Sequence, residues 1–387
     1  MKKIVHIITR LDTGGSAENV LASAEFVKPQ EYESLILTGP GSQTKAPDSA
    51  GDSTGTQKVI VVPSLVREIS PLKDISAFIE IFSHLKRIKP DIVHTHSSKA
   101  GVIGRWAAYF AGVKKIIHTP HGHVFYGYYS GFSGYIKTKF FLFAEKITAP
   151  ITTKFIALTE GEKKETLGYG IGKPSDWAVI HSGIDYDRIE ILRSSGNDAG
   201  NVPFIIGTVA RLEPVKGIRY FVESIPLIIR SLTGSLAHSP TFLIVGDGSQ
   251  RKELETLTDE LKISSIIKFT GMKENISEII SSMDIYVQPS LNEGMGKTLV
   301  YAQLLGKPVV ATKVQGIPDV VIDGETGILV PAADPHRLAE AILKLIIDED
   351  LRERMGISAG KWANEEVDGF PRFSIKRMVY LLEKVYQ

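Results

Sequence analysis

The sequence predicts an α/β protein of two doubly wound parallel-sheet domains facing each other across a cleft. Short β-branched runs alternate with stretches of helical periodicity along the whole chain, the pattern of successive βαβ units. Its 387 residues suit two domains, each large enough for its own core. Between two strand–helix series lies Arg193–Val202, containing Ser-Ser-Gly-Asn-Asp-Ala-Gly-Asn, which carries no period and reads as a linker and hinge.

The elements follow in order. Strands of a parallel sheet are covered on both faces, so they read as nearly continuous apolar runs. In the first half these are Lys3–Ile8, Glu33–Leu37, Lys58–Val62, Ile92–Thr95, Lys115–His118, Lys154–Leu158 and Ala178–His181. In the second half they are Pro203–Val209, Phe242–Val245, Ile266–Thr270, Ile285–Gln288, Pro308–Thr312 and Gly327–Val330. Apolar residues at helical spacing mark helices between them, as at Ala17–Phe26, Ile75–Lys86 and Arg337–Ile347. Gly39–Gln57, rich in Gly, Ser, Thr, Asp and Pro, is expected to be a mobile surface loop. The opening Met-Lys-Lys-Ile-Val-His-Ile-Ile-Thr-Arg begins like a signal peptide. His6 breaks its apolar run and Arg10 stops it with no small-residue cleavage site, so it reads as a buried strand and the protein as cytoplasmic.

Composition excludes several classes. There is no Cys, which removes disulfides, zinc–thiolate sites, iron–sulfur clusters and a cysteine nucleophile. With 45 Lys+Arg against 44 Asp+Glu the net charge is +1, too small for a nucleic-acid binder acting through bulk charge. That balance is an average. Residues 86–164 hold 13 Lys+Arg and only 4 Asp+Glu, a basic excess that points to a local anionic partner such as a lipid diphosphate or a membrane face.

Four segments carry chemistry. In Pro289-Ser-Leu-Asn-Glu293-Gly-Met-Gly-Lys-Thr-Leu-Val-Tyr301 a strand ends, an acid and two glycines turn the chain, and a helix begins. Gly294 and Gly296 let backbone N–H groups approach a ligand, the helix N-terminus favours an anion, and Glu293 is an acceptor suited to sugar hydroxyls. The bland alternative is a glycine-rich turn whose acid complements the helix dipole. In Gly207-Thr-Val-Ala-Arg211-Leu-Glu-Pro-Val-Lys216-Gly217, Arg211 offers a planar fork and Lys216 a point charge on one loop, enough to balance a diphosphate; otherwise they are solvated surface cations. Asp12-Thr-Gly14-Gly15-Ser opens the first helix with a glycine pair that permits close approach to a ligand. Five of the ten histidines fall in residues 94–123, namely His94, His96, His118, His121 and His123. Without an accompanying carboxylate pattern, metal binding is not the reading; one of each pair can be a satisfied core histidine, with His121 contacting sugar or handling a proton.

Together these segments resemble the retaining nucleotide-sugar glycosyltransferases of family 4 (glycosyl transferases group 1) of bacterial polysaccharide synthesis, which have the two-Rossmann-domain GT-B fold. The resemblance extends to Asp91-Ile-Val-His-Thr-His96-Ser, His181-Ser-Gly-Ile-Asp185, Val245-Gly-Asp-Gly248, Gly271 and Gly316-Ile-Pro-Asp319 through Pro331. It implies an N-terminal acceptor-binding domain of residues 1–190, joined by a C-terminal helix at about 370–387, and a donor-binding domain of residues 191–369. It implies that Gly14 and Gly15 lie against the donor diphosphate, that Arg211 and Lys216 neutralise it as it leaves, and that Glu293 with the turn Gly294, Met295, Gly296, Lys297 and Thr298 holds the transferred sugar and phosphate. Gly246 and Met272 would meet the nucleotide, and His121 the transferred sugar. The catalytic set so implied is His121, Arg211, Lys216 and Glu293. The family places a second glutamate eight residues after the first to clamp both ribose hydroxyls; here that position is Tyr301, a neutral phenol with one oxygen.

The expected reaction moves a sugar, hexosyl or N-acetylhexosaminyl, from a UDP-sugar to a saccharide or polyprenyl-diphosphate-linked saccharide. It needs no metal and no cofactor beyond the co-substrate; Asp185-Tyr-Asp187 and Asp348-Glu-Asp350 are not expected to bind metal. Acceptor contacts are expected from His96, Lys99, His123 and Tyr126. Phe125–Tyr135 is aromatic and glycine-rich, and Ile136–Ile147 interleaves Lys137, Lys139 and Lys146 with Phe140, Phe141 and Phe143, suited either to an anionic membrane surface or to a half-buried helix with a basic face. The alternatives are a nucleotide-sugar epimerase of the same fold and a non-catalytic nucleotide-sugar-binding partner of another transferase.

Overall fold

The computed structural model describes residues 1–11, 14–41, 58–122, 131–186, 189, 204–232, 240–273 and 275–387, the backbone alone at 131–133. The Gly39–Gln57 loop beyond residue 41, the Arg193–Val202 linker, His123 and Tyr126 lie outside the described residues.

The chain forms two compact units, Met1–Gly183 with Ile375–Gln387, and Ile184–Ser374. They divide at Gly183 and Ser374 rather than at 190 and 369, and hydrogen bonds tie the residues after Gly183 to the chain before Ile375. Ile184 N–H donates to the Phe373 carbonyl at 2.8 Å, and the Tyr186 hydroxyl donates to the Ala363 carbonyl at 2.6 Å.

The first unit holds a seven-stranded sheet of β1 (Lys2–Ile8), β2 (Tyr32–Thr38), β3 (Lys58–Val61), β4 (Ile92–His96), β5 (Lys115–Thr119), β6 (Lys154–Ala157) and β7 (Trp177–Val179). Their spatial order is 3-2-1-4-5-6-7 and every pairing is parallel. The second holds β8 (Ile205–Val209), β9 (Thr241–Val245), β10 (Ile267–Phe269), β11 (Ile285–Gln288), β12 (Val309–Thr312) and β13 (Gly327–Val330) in the order 10-9-8-11-12-13, again all parallel. Each predicted strand run overlaps an observed strand, and where their edges differ the shift is one or two residues.

Both sheets reverse their winding once, between β1 and β4 and between β8 and β11. A doubly wound sheet leaves a crevice at the carboxyl ends of its strands at such a point. The loops after β1, β4 and β5 bear the first unit's candidates, and those after β8 and β11 bear the second's.

Helices cover both sheets because their apolar stripes match the sheet faces. Pro71–Ile88 begins with proline in its first turn, where a missing N–H is harmless, and buries Ala77, Ile81 and Leu85. In the second unit Ile218–Leu232 and Pro335–Ile347 pack Phe221, Ile225, Leu338 and Ile342 with Ile206, Ile244 and Val287 of the sheet. Asp334 and Asp348 cap their helices by accepting from Arg337 N at 3.0 Å and Leu351 N at 2.8 Å. That use accounts for Asp348 in the second acid-x-acid motif.

The last helix, Ile375–Tyr386, belongs to the first unit. Met378, Val379, Leu382 and Tyr386 pack with Ile4, Ile92 and Ile117 of its sheet, each large side chain contributing about 1.5–3 kcal/mol. Tyr386 O–H lies 2.8 Å from His94 Nδ1, and Glu383 accepts from Lys28 N at 2.9 Å. Among the described residues no helix is long and apolar enough to cross a membrane.

Candidate functional site

In the second unit the site is built by two loops that the backbone locks together. Gly217, at φ +63°, lies so near the Pro289 carbonyl that a Cβ would meet its oxygen at 2.1 Å, so only glycine fits. Beside it, Leu291 N–H donates to the Val215 carbonyl at 2.8 Å. This contact brings the end of one predicted motif, Lys216, onto the acid of another.

Lys216 Nζ is 2.6 Å from Glu293 Oε2, with side chains only 19% and 13% exposed. The same oxygen accepts from Gln288 Nε2 at 2.8 Å and Ser290 Oγ at 3.2 Å. Oε1 of Glu293 has no partner among the described residues and remains an open acceptor.

Gln288 is held in turn. Its Oε1 accepts from the Tyr286 hydroxyl at 3.1 Å and from Thr298 Oγ1 at 3.0 Å, which orients its amide nitrogen toward the carboxylate. Burial pushes the Tyr286 phenol pKa upward, keeping it a neutral donor. Gln315 closes the far side, its Oε1 accepting from Glu293 N at 3.3 Å. It does so from a left-handed backbone at φ 35°, an uncommon conformation for a side-chain-bearing residue.

Other second-unit candidates fall as follows. Arg211 is exposed at the end of β8 and has no ion-pair partner among the described residues. Gly246, at φ +126°, lies so close to the Ala210 carbonyl that a Cβ would meet its oxygen at 1.9 Å, and its N–H donates to Gly271 at 3.0 Å. Met272 follows, 59% exposed. Gly296 precedes the helix Lys297–Leu304, and Gly294, Lys297 and Tyr301 are partly exposed. Met295 is 2% exposed, so its side chain belongs to the core and only its backbone can serve a ligand. Thr298 spends its hydroxyl on Gln288. Gln303 is fully buried and donates to the Val320 carbonyl, so it does not substitute for a carboxylate at 301.

In the first unit Gly14 precedes the helix Gly15–Glu25 just after β1, and its carbonyl accepts from Glu18 N at 3.0 Å. The histidines form a layer across β1, β4 and the loop after β5. Parallel register sets His6 opposite His94 and His96 opposite Thr119. His6 Nδ1 is 3.1 Å from His96 Nε2, and His96 Nδ1 is 3.0 Å from His121 Nε2. His94 is satisfied by Tyr386 and by Thr119 Oγ1 at 2.8 Å, and His118 Nδ1 by Thr95 Oγ1 at 2.9 Å. Burial lowers the His6 pKa to about 3 and holds His94 and His96 well below the usual imidazole range, neighbouring imidazoles adding to the effect at His94 and His96.

Two expectations are corrected here. His96 is fully buried between His6 and His121, so it stands behind His121 and not on a surface that an acceptor could touch. Lys99 is 2.5 Å from Asp74 Oδ1 and donates to the Glu68 carbonyl, so its ammonium ties two helices together. His6, His94 and His96 put ligand-type nitrogens within 4.8 Å of one another, yet both nitrogens of His94 already have hydroxyl partners.

His121 is fixed through its backbone as well as its ring. It takes φ 58°, and the following Gly122 N–H is gripped by Glu162 Oε1 at 2.9 Å. The other oxygen of that carboxylate accepts from Leu158 N at 2.6 Å. Glu162 is 2% exposed, and burial pushes its pKa up to about 7 despite these two donors.

Gln288, Ser290, Gln315, His6 and Glu162 were not singled out from the sequence. The available signals were polar residues inside or ending otherwise apolar strands, Gln288 in Ile-Tyr-Val-Gln and His6 in Ile-Val-His-Ile. Ser290, Gln315 and Glu162 stand in loops or at a helix start and show no such signal.

Residues 13–188 match the family model described as Glycosyltransferase Family 4, and residues 192–362 the model described as Glycosyl transferases group 1. The chain is 29% identical over 380 residues to the Escherichia coli UDP-Gal:alpha-D-GlcNAc-diphosphoundecaprenol alpha-1,3-galactosyltransferase, covering 95% of this chain and 93% of that one. It is 26% identical to the Staphylococcus aureus capsular polysaccharide biosynthesis glycosyltransferase CapM, covering 93% and 92%. Its fold resembles Anabaena HepE in complex with UDP and glucose, with a TM-score of 0.77, 19% identity and coverage of 100% and 99%. With the two family models together spanning both doubly wound units, the chain belongs to the family 4 (group 1) glycosyltransferases and has their GT-B fold.

Proposed function

We propose that this glycosyltransferase moves a hexosyl or N-acetylhexosaminyl group from a UDP-sugar, with retention of anomeric configuration and without a metal, to a saccharide or lipid-diphosphate-linked saccharide in bacterial envelope polysaccharide synthesis. The observation that carries the reading is Glu293. Three donors converge on its Oε2, leaving Oε1 open beside a helix N-terminus, the arrangement needed to grip sugar hydroxyls next to a diphosphate. Support for the donor and acceptor classes comes from the E. coli relative, named for a UDP-Gal donor and a diphosphoundecaprenol-linked acceptor.

In this reading Lys216 and Arg211 balance the charge of the departing diphosphate, and the amides of Gly294 to Thr298 with the N-terminus of Lys297–Leu304 add a fixed dipole. Positioning and preorganised charge supply most of the rate, as the oxocarbenium-like sugar meets the acceptor hydroxyl on the face the diphosphate leaves. Lys216 is paired with Glu293 and not free, so a bound diphosphate competes for its ammonium. Gly14, Gly15, Gly246 and Met272 line the nucleotide and diphosphate, Tyr301 stands at the ribose, and His121 meets the transferred sugar.

The helix Gly131–Thr148 exposes Tyr135, Ile136, Phe140, Phe143 and Ile147, each more than 45% accessible, among Lys137, Lys139 and Lys146. Such a face suits peripheral binding to an anionic inner-membrane surface, where a lipid-linked acceptor is presented.

The test incubates the purified protein with UDP-sugars and a polyprenyl-diphosphate GlcNAc acceptor, with and without EDTA. Expected are a glycosylated lipid with an α-linkage from an α-donor, turnover that EDTA leaves intact, and pelleting with anionic liposomes at low salt. A changed nucleotide sugar in the absence of acceptor supports the epimerase; binding without turnover supports the non-catalytic partner. Both relatives named above are transferases, which favours neither alternative.

A further inference from the structure

We infer that His6 and His96 act as positioning residues that fix the tautomer of His121, so that His121 holds its proton on Nδ1 and presents that nitrogen as a hydrogen-bond donor. Its place at the transferred sugar rests on the function proposed above; the tautomer itself does not.

Three imidazoles stand in series. His6 Nδ1 faces His96 Nε2 at 3.1 Å, and His96 Nδ1 faces His121 Nε2 at 3.0 Å. Ring centroids are 5.4 and 5.3 Å apart, with interplanar angles of 23° and 26°. A neutral imidazole has one N–H and one lone pair, so each contact needs a donor on one side and an acceptor on the other. Only two arrangements satisfy both contacts. In the first, every proton is on Nδ1: His6 donates to His96, His96 donates to His121, and His121 keeps its own N–H at Nδ1. In the second, every proton is on Nε2, and Nδ1 of His121 is an acceptor.

The buried end of the series decides between them. His6 is fully buried and its Nε2 has no hydrogen-bond partner among the described residues. The second arrangement strands an N–H there; the first strands only a lone pair. Orphaned buried N–H groups are the rarer defect, and an unmade donor bond loses its full solvation, so the first arrangement is favoured. Three neighbouring side chains are engaged elsewhere. His94 lies 4.2 Å from His96 between ring centroids but uses both nitrogens on Tyr386 and Thr119. His118 turns Nδ1 to Thr95, and Glu162 spends its oxygens on the Gly122 and Leu158 amides. Burial keeps His6 and His96 neutral at ordinary pH.

A proton on Nδ1 makes His121 a hydrogen-bond donor to an oxygen of its ligand. It is then not a general base at that nitrogen. The series also ends blindly at His6, so it orients His121 and does not conduct protons to it.

The test is long-range proton–nitrogen correlation of the full chain labelled with 15N-histidine at pH 7.5, the His121 signals being assigned by their loss in H121Q. The expected spectrum gives His121 a protonated-type Nδ1 and a bare-type Nε2. A protonated Nε2, or a doubly protonated ring, overturns the proposal without any reference to activity. His6→Asn keeps an amide donor near the position of Nδ1 and is expected to preserve the signature. His6→Phe removes the donor, and His121 is expected to shift to mixed tautomers while KM for the donor sugar rises roughly two- to tenfold. Unchanged His121 signals in both variants overturn the role of His6. If the tautomer is as expected and no sugar is transferred, the functional reading fails and the tautomer assignment stands.

Discussion

Lys216 Nζ and Glu293 Oε2 meet at 2.6 Å across 77 residues of sequence, joining the loop after β8 to the loop after β11 at the point where the sheet reverses. Each group is mostly withdrawn from water, so neither charge is easily left alone. Substituting Glu293→Gln or Lys216→Ala is expected to reduce kcat/KM by about a hundredfold or more. The two losses should not add: a double-mutant cycle on turnover is expected to give a coupling of about 0.5–3 kcal/mol. Strict additivity would show that the pair does not act as a unit.

Gln288 is the hinge of that arrangement, bonding Glu293 with its amide nitrogen while Tyr286 and Thr298 hold its oxygen. Gln288→Leu leaves buried hydroxyls and a carboxylate short of partners. A loss of about 1–3 kcal/mol in chemical denaturation is expected, with a fall in kcat larger than any rise in KM. Gln288→Glu places a second carboxylate against Glu293 and should cost more activity than Leu.

Tyr301 stands where the family has its second glutamate. Restoring the acid with Tyr301→Glu adds charge-assisted hydrogen bonds to a ribose diol, of about 1.5–3 kcal/mol. Calorimetry with UDP is expected to show affinity raised roughly ten- to a hundredfold. Unchanged affinity would mean that Tyr301 does not face the ribose.

Glu162 and His6 give stability opposite pH slopes. The Glu162 carboxyl titrates near 7 in the folded chain against 4.5 unfolded, so the fold holds an extra proton between those values. Its penalty is absent below about pH 4.5, grows as pH rises, and is complete above about 7, on the order of 3 kcal/mol. His6, at about 3 against 6.5, acts the other way: its penalty is absent above about pH 6.5 and grows as pH falls toward 3. Glu162→Gln is therefore expected to flatten the loss of Tm between pH 5 and 7.5, and His6→Phe to reduce destabilisation below pH 6. Thermal melts across pH check both. A Glu162→Gln profile parallel to that of the parent chain would refute the buried-acid reading.

The sequence by itself determined the winding. Runs such as Ile-Ile-Gly-Thr-Val and Ile-Tyr-Val-Gln are apolar enough to be covered on both faces, which only a parallel sheet between helix layers achieves, so strand positions were legible from local pattern. It also marked Glu293, Lys216, Arg211 and His121, because charged or polar groups placed just after such runs fall at the carboxyl ends of strands. The pairing of those groups was not legible. The bond from Lys216 to Glu293 was not foreseen; His96 and Lys99 were expected on an acceptor and are found on His121 and Asp74. A side chain's partner depends on which loops lie side by side, and contacts such as Gly217 against Pro289 span long stretches of sequence that no local period records. The same holds for His6. A histidine in a buried strand looks like an interruption until β4 is set beside β1, and only then does its ring stand in line behind His96 and His121.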